Sequence, residues 1–223
     1  VLRFPIWEPF SFYKRLFNKS DGQKLKQGIV IEKAKLSFVD KLTIWVRANL
    51  FIPDPRRFWV RPSIDFLASY IKDNDIDVIV TTGPPHSMHL IGLGLKKKCE
   101  VKWLADFRDP WSDWDILDKL KVSSFVRGIH TRMERKVLEA ADEVITVSSR
   151  LAAQLNTKTD GLEVGVITNG VDDQDFESES TLDLPKKFRI SHMGLLNEIR
   201  DPESLWLALE ELGDEVSGFK DDL

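Results

Sequence analysis

The sequence is poor in the features that settle a protein's class at a glance. It has one cysteine, Cys99, among 223 residues. A lone thiol excludes an internal disulfide and fits a reducing compartment. No apolar run approaches the roughly 18 residues that a membrane-spanning helix needs, and no secretory signal stands at the start. There is no zinc-finger spacing, no aromatic RNA-binding motif, no internal repeat and no low-complexity tract. With a net charge of −4, this argues against bulk nucleic-acid binding. There is also no initiator methionine. The chain opens Val1-Leu2-Arg3-Phe4-Pro5-Ile6, which reads as a strand, and ends at Phe219-Lys220-Asp221-Asp222-Leu223, soon after a helical pattern. We therefore expect an internal piece of a longer protein.

What is present is an ordinary soluble composition, 42% hydrophobic, with an uneven charge. Residues 1–62 hold 13 Lys and Arg against 5 Asp and Glu, and the remainder 19 against 31. A basic first part suits an anionic surface or ligand nearby, or simply a solvated basic face. Pro9–Phe17 is rich in aromatics, and Asn18–Gly28 reads as a loop. Apolar residues recur at helical spacing over Leu36–Leu50. Pro53 and Pro55 should end that helix, and Arg61-Pro62-Ser63 should open the next. Ser124–Ala141 is the longest helical pattern. Strands are expected over Val144–Val147, Glu163–Ile167 and Phe188–His192. Ser148-Ser149 should cap a short helix through Leu155. Asp173–Pro185 reads as a linker, and Pro202–Leu212 as a helix.

The stretch Ile76–Trp111 organises the whole. A strand over Asp77–Thr82 runs into Gly83-Pro84-Pro85-His86-Ser87, then a helix carrying Met88, Leu90, Ile91 and Leu95. A second strand, Val101–Ala105, ends in Asp106-Phe107-Arg108-Asp109-Pro110-Trp111. Continuous runs such as Val78-Ile79-Val80 suit a parallel sheet. Strands alternating with helices imply an α/β fold whose mainly parallel sheet has helices on both faces. Ligands bind such sheets outside the carboxyl ends of the strands. Gly83 lets the backbone turn sharply. His86 and Ser87 fall in a helix's first turn, where free amides favour anions and hydroxyl-rich ligands. The alternative is a capped strand–helix corner with His86 solvated; His89, one turn on, reads as structural.

Several spellings together resemble a bacterial family 4 glycosyltransferase of the GT-B fold, which has two Rossmann-like domains with a cleft between them. They are Trp7-Glu8-Pro9-Phe10, Pro53-Asp54-Pro55-Arg56-Arg57, Thr82-Gly83-Pro84-Pro85-His86-Ser87, Ala105-Asp106-Phe107-Arg108-Asp109-Pro110-Trp111, Ala141-Asp142, Asn169-Gly170-Val171-Asp172 and His192-Met193-Gly194. The resemblance implies an incomplete acceptor-side domain over 1–172 lacking its first strands, a linker over 173–186, and the start of a donor-binding domain over 187–223. It implies a retaining, hexosyltransferase-like enzyme, inactive as this fragment. A nucleotide-sugar donor and a glycan or lipid-linked acceptor would be its partners, in cell-surface polysaccharide synthesis.

By the same resemblance Gly83, Pro84, Pro85, His86 and Ser87 line the acceptor cleft. Asn169 and Gly170 form the interdomain hinge, and Gly194 and Arg200 meet the donor. Many relatives carry a His-Asp pair where this chain has Arg108-Asp109. A carboxylate beside a cation suits holding an acceptor hydroxyl for attack, and negative charge helps an oxocarbenium-like state. Guanidinium cannot be a base, so Asp106 and Asp109 are the candidates, with Arg108 beside them. The alternative is a buried Arg–Asp brace with Trp111 as core. Many relatives have a cation after the glycine of His192-Met193-Gly194, where Leu195 stands here. No cofactor and no metal is implied: Asp113-Trp114-Asp115 spells a D-x-D, but Asp113 reads as a helix N-cap.

The basic-aromatic stretches Trp7–Lys19 and Trp45–Arg61 suit either peripheral contact with an anionic membrane or core helices with snorkelling cations. Trp45, Phe51, Phe58 and Trp59 are expected mostly in the core. The expected location is the cytoplasm, at the inner face of the membrane. Two rival functions remain: a GT-B-fold nucleotide-sugar epimerase, and a non-catalytic α/β binding module.

Overall fold

The computed structural model describes residues 3–5, 38–176, 189–194 and 201–219. In chain order it has α1 (Phe38–Leu50), α2 (Arg57–Asp73), β1 (Val78–Gly83), α3 (Ser87–Lys98), β2 (Lys102–Phe107), α4 (Ile116–Lys119), α5 (Ser124–Ala140), β3 (Glu143–Thr146), α6 (Ser149–Asn156), β4 (Gly165–Val166), a 3-10 turn (Asp173–Phe176) and α7 (Glu203–Glu215). The four strands pair in parallel in the order β1-β2-β3-β4. This is a Rossmann-like α/β sheet. Every crossover steps the same way along it, so the right-handed rule puts the connecting helices on one face. Burial agrees: Trp103, Ala105, Phe107, Val144, Val137, Leu138, Leu151 and Leu155 form one sealed core. On the other face Val78 and Val80 are 55% and 63% exposed, so the helices expected on both faces of the sheet cover only one among the described residues. The described residues divide after Gly170 into two compact units, the sheet lying in the first and α7 in the second.

Trp103 is the pivot between sheet and helix. Its indole N–H donates to Thr81 Oγ1 at 2.9 Å, and the Thr81 hydroxyl lies 2.9 Å from His89 Nδ1. Gly92 makes the approach of α3 possible, since a Cβ there would lie 2.4 Å from the Trp103 ring. A second cluster, Ile71, Ile91, Leu95 and Val101, seats α2 on α3. Asp142 fixes the α5–β3 corner to β2. Its Oδ2 accepts from Lys96 Nζ at 2.6 Å and from the Trp103 amide at 2.8 Å. Those bonds, the lysine's first, hold its carboxyl down at about 2.

The helix starts are explained by local acceptors. Ser123 Oγ accepts from the Val126 amide and Ser148 Oγ from the Leu151 amide, each at 3.3 Å, so the expected cap at Ser148 is found. Pro62 does not open α2: it is the sixth residue of a helix that begins at Arg57. Asp54 starts that helix instead, its carboxylate accepting from the Arg56 amide at 2.9 Å and its carbonyl from the Arg57 amide at 3.1 Å. Pro62 sits on the exposed side, where water can serve the carbonyl its missing N–H leaves open.

Other expectations need correction. Arg3–Pro5 and Arg189–His192 are not strands, and β4 is only two residues long. Trp45 and Phe58 are 47% and 41% exposed, not core. Pro9–Phe17 and Asn18–Gly28 lie outside the described residues, as does most of the expected linker, of which Asp173–Phe176 is the 3-10 turn.

Gly92→Ala should lower stability by roughly 1–3 kcal/mol, because a fully buried, hydrogen-bonded indole has nowhere to go. Urea unfolding reads this as a lower midpoint at unchanged slope. An unchanged midpoint would mean that the indole is free to shift.

Candidate functional site

The first strand tip is a sealed corner. Gly83 ends β1, and its carbonyl accepts from the Arg108 amide at 3.0 Å, which ties the tips of β1 and β2 together. Gly83 is needed for proximity, since a Cβ there would lie 2.5 Å from His89 Nε2. His86 is 4% exposed and His89 is fully buried. His86 stacks on Trp111 with centroids 4.8 Å apart and planes 3° apart, and His89 on Phe107 at 4.4 Å and 16°. Neither nitrogen of His86 has a hydrogen-bond partner, nor does His89 Nε2. Burial, reinforced by the nearby His130, pushes His86 down to about 4. The Pro110 carbonyl pulls weakly the other way without meeting hydrogen-bond geometry. Burial first, then His86, takes His89 down to about 3. Both rings are neutral at physiological pH.

The leading donors of α3 are not free, contrary to expectation. Asp54, 33 residues upstream, accepts from the Ser87 amide at 2.8 Å and from the Ser87 hydroxyl at 3.0 Å. Of the expected acceptor-binding residues, Gly83, His86 and Ser87 are buried, Pro84 is exposed and Pro85 is half-buried.

The second tip is open. Asp106 is half-buried and accepts from the Thr82 hydroxyl at 2.8 Å, a cross-strand bond in register. Arg108 is exposed and Asp109 half-buried. The two form no ion pair, so Arg108 is not part of a buried brace. Trp111 is core, as the alternative had it, and its indole donates to His130 Nδ1 at 3.0 Å. Burial, then Arg127, lowers His130, with Asp54 opposing.

Beside this tip lies a hollow of about 430 Å³, lined by Arg108, Pro110, Asp113, Trp114, Asp115, Val147, Ser148, Arg150, Leu151 and Gln154. It opens where β2 and β3 end, the place a parallel sheet offers to ligands. Of the expected site residues only Arg108 lines it.

A buried network backs the hollow. Glu134 of α5 is 0% exposed. Its Oε2 accepts a short bond from the Ser112 hydroxyl and an ion pair from Lys158 at 3.0 Å, while Oε1 has no partner. Lys158 also donates to Ser112 Oγ at 2.8 Å and pairs with Asp113 at 2.6 Å. Burial alone would lower Lys158, but the two carboxylates outweigh it and hold the ammonium above the usual lysine range. Burial would raise Asp113, but Lys158 and Gln154 hold it below the usual carboxylate range. Asp113 is therefore an ion-pair partner rather than an N-cap. Among the described residues no group of His, Cys, Asp or Glu could hold a metal ion.

Asn169 and Gly170, the expected hinge, are not among the residues that line the hollow. Both are exposed, immediately before the division between the two units. Gly194 has φ of +141°, a conformation that favours glycine. Arg200 and Leu195 lie outside the described residues. Sequence reasoning passed over Arg150, Lys158 and Glu134. The rule that sent us to the end of β2 points equally to the end of β3, where Ser148 and Arg150 stand. Lys158 and Glu134 carry no local signal.

A parallel Rossmann-like sheet with an open, charged hollow at its strand tips defines the class of α/β proteins that take their ligands at the carboxyl ends of the strands. Within that class the family is shown: a model of Glycosyltransferase Family 4 matches residues 29–175, and the chain belongs to that family. Its function is accordingly of the glycosyltransferase type, with a sugar donor and an acceptor to bind. Neither the curated proteins nor the solved structures give a match.

The buried imidazoles make stability depend on pH. Both folded-state values lie below the ordinary 6.5, so between 6.5 and about 4 the unfolded chain binds protons that the native rings refuse. Stability should fall with falling pH in that window, by up to about 1.4 kcal/mol per pH unit per ring. Asp142 adds a loss only below its ordinary 3.8, as pH falls towards about 2. His86→Phe, which keeps a ring on Trp111, should flatten the slope by less than half, since His89 and the likewise lowered His130 still contribute. Urea midpoints from pH 7.5 to 4.5 measure this, and a level wild-type profile would contradict buried neutral rings.

Proposed function

We propose that this chain is the acceptor-side part of an enzyme that moves a sugar, with retention, from a nucleotide-sugar donor to a glycan or lipid-linked acceptor in cell-surface polysaccharide synthesis. The observation that carries the reading is the pairing of the two strand tips, Gly83 to Arg108, beside an open hollow in a family 4 chain. Asp109 or Asp106 takes the role of the carboxylate that orients the acceptor hydroxyl, with Arg108 as the cation beside it. Asp106 already receives the Thr82 hydroxyl, which favours Asp109. The division after Gly170 supports an acceptor-side domain over 1–172 and a donor-side domain beginning near 187, with Asn169-Gly170 as the hinge. In that reading Gly194 and Arg200 meet the donor diphosphate.

The test is a transfer assay of the full-length protein with a panel of nucleotide sugars. Asp109→Asn should lower kcat by about 10²-fold or more, the range for a positioned acid–base group, with an unchanged circular dichroism spectrum. Arg108→Gln should act mainly on KM for the acceptor. Donor converted without any acceptor would instead indicate an epimerase, and donor neither transferred nor converted a binding module.

The same reading places the protein at the inner face of an anionic membrane. Trp45, Leu50 and Phe58 are exposed, and the Arg57 guanidinium lies 5.8 Å from the centre of the Phe58 ring. The contact proposed is peripheral; among the described residues no helix is long and apolar enough to cross a membrane. The full-length protein should co-sediment with vesicles containing phosphatidylglycerol and less with neutral ones. Equal sedimentation with both, or none, would remove the idea.

A further inference from the structure

We infer that the hollow between the tips of β2 and β3 is a subsite for an anionic group carried by the acceptor, a phosphate or a carboxylate, gripped by Arg108 and Arg150. The inference rests on the glycosyl-transfer reading and adds the chemical class of acceptor.

Four charged side chains line the hollow: Arg108, Arg150, Asp113 and Asp115. A protein that wanted its arginines quiet would pair them with those aspartates. Asp113 is instead committed elsewhere, to Lys158 at 2.6 Å and Gln154 at 2.9 Å. Arg108 and Arg150 make no ion pair and no side-chain hydrogen bond among the described residues. Asp115 is exposed at the start of α4 and caps nothing there. The lining thus keeps one positive charge in excess after Asp115 is set against either arginine. Both arginines line the hollow, and a guanidinium's planar fork suits phosphate and carboxylate oxygens.

The rest of the wall suits the same occupant. Ser148 Oγ accepts from the Leu151 amide, so its hydroxyl proton is free to donate. Pro110, Trp114, Val147 and Leu151 supply apolar surface, which lowers the local dielectric and strengthens a charge pair over its value in water. The volume of about 430 Å³ lies within the roughly 300–1,000 Å³ of small-molecule sites. Arg108 would then both grip the anion and stand next to Asp109, holding the acceptor by its charge while its hydroxyl is oriented one residue away.

The experiment titrates the full-length protein with glucose 1-phosphate, glucuronate and methyl glucoside, by calorimetry at low salt. The first, the second or both should bind at least ten times more tightly than the neutral glycoside. Arg150→Gln, at an exposed position, should weaken that binding at least tenfold without changing the circular dichroism spectrum. The phosphate and carboxylate arms tell the two anions apart. Anions binding no better than methyl glucoside, or binding to Arg150→Gln and to Arg108→Gln as tightly as to the wild type, would overturn the subsite. Displacement of the bound anion by UDP, with UDP binding lost equally in Arg150→Gln, would make this a donor site and overturn the acceptor assignment. A transfer assay separates the two readings. Transfer to an anionic acceptor that is unaffected by Arg150→Gln, in kcat and in KM, leaves glycosyl transfer standing and removes the subsite. Anion binding by an enzyme that transfers nothing does the reverse.

Discussion

The ammonium of Lys158 is what allows a carboxylate to sit at zero exposure in this fold. Moving an ionised Glu134 out of water costs several kcal/mol, and attraction offsets that only with good geometry and further hydrogen bonds. Here the lysine and the Ser112 hydroxyl provide them. Because the partners come from α5, from the loop after β2 and from the segment after α6, one charge pair joins three parts of the chain. The same ammonium engages Asp113 at the rim. The electrostatic character of the open surface is therefore decided below that surface: with Asp113 engaged by Lys158, the hollow's lining keeps one positive charge in excess.

The corner after β1 is held by different means. Its histidines are aromatic discs rather than titrating groups, stacked on Trp111 and Phe107 and kept neutral by burial. Thr81 joins the indole of Trp103 to His89, and Asp54 closes the leading turn of α3 from 33 residues away. One strand tip is thus fixed by stacking and a carboxylate cap, and its neighbour by a buried ion pair. The amide of Arg108 on the carbonyl of Gly83 links the two.

Much of the fold was legible because its signals are local. The run Val78-Ile79-Val80 gave a strand, although the cover it suggested on both faces is missing at Val78 and Val80; Ser148 gave a helix start, and the periodicity over Ser124–Ala141 gave α5 to within a residue. The errors have physical causes. Pro62 misled because a proline tolerated on an exposed helix face looks, in sequence, like one that opens a helix. Trp45 and Phe58 misled because aromatic residues near cations read equally well as core or surface. In the site, the rule of strand carboxyl ends found Arg108 but was not carried on to Arg150. His86 was expected to line a cleft and is instead part of the packing, because its buried state depends on Trp111, 25 residues on, and not on its neighbours. Asp54 and Lys158 act across 33 and 46 residues, distances over which no spacing rule speaks.

The glycines of α3 have a consequence for what this architecture can become. Gly92 and Gly94 let the helix press so close that added methyl groups would meet Trp103 at 2.4 Å and Ile64 at 2.1 Å. A helix seated that tightly cannot slide, so the β1 corner it anchors has almost no latitude for new shapes. Variety in what such a protein grips must then arise at the two neighbouring tips, whose loops face solvent and can be redrawn without disturbing the seat beneath them.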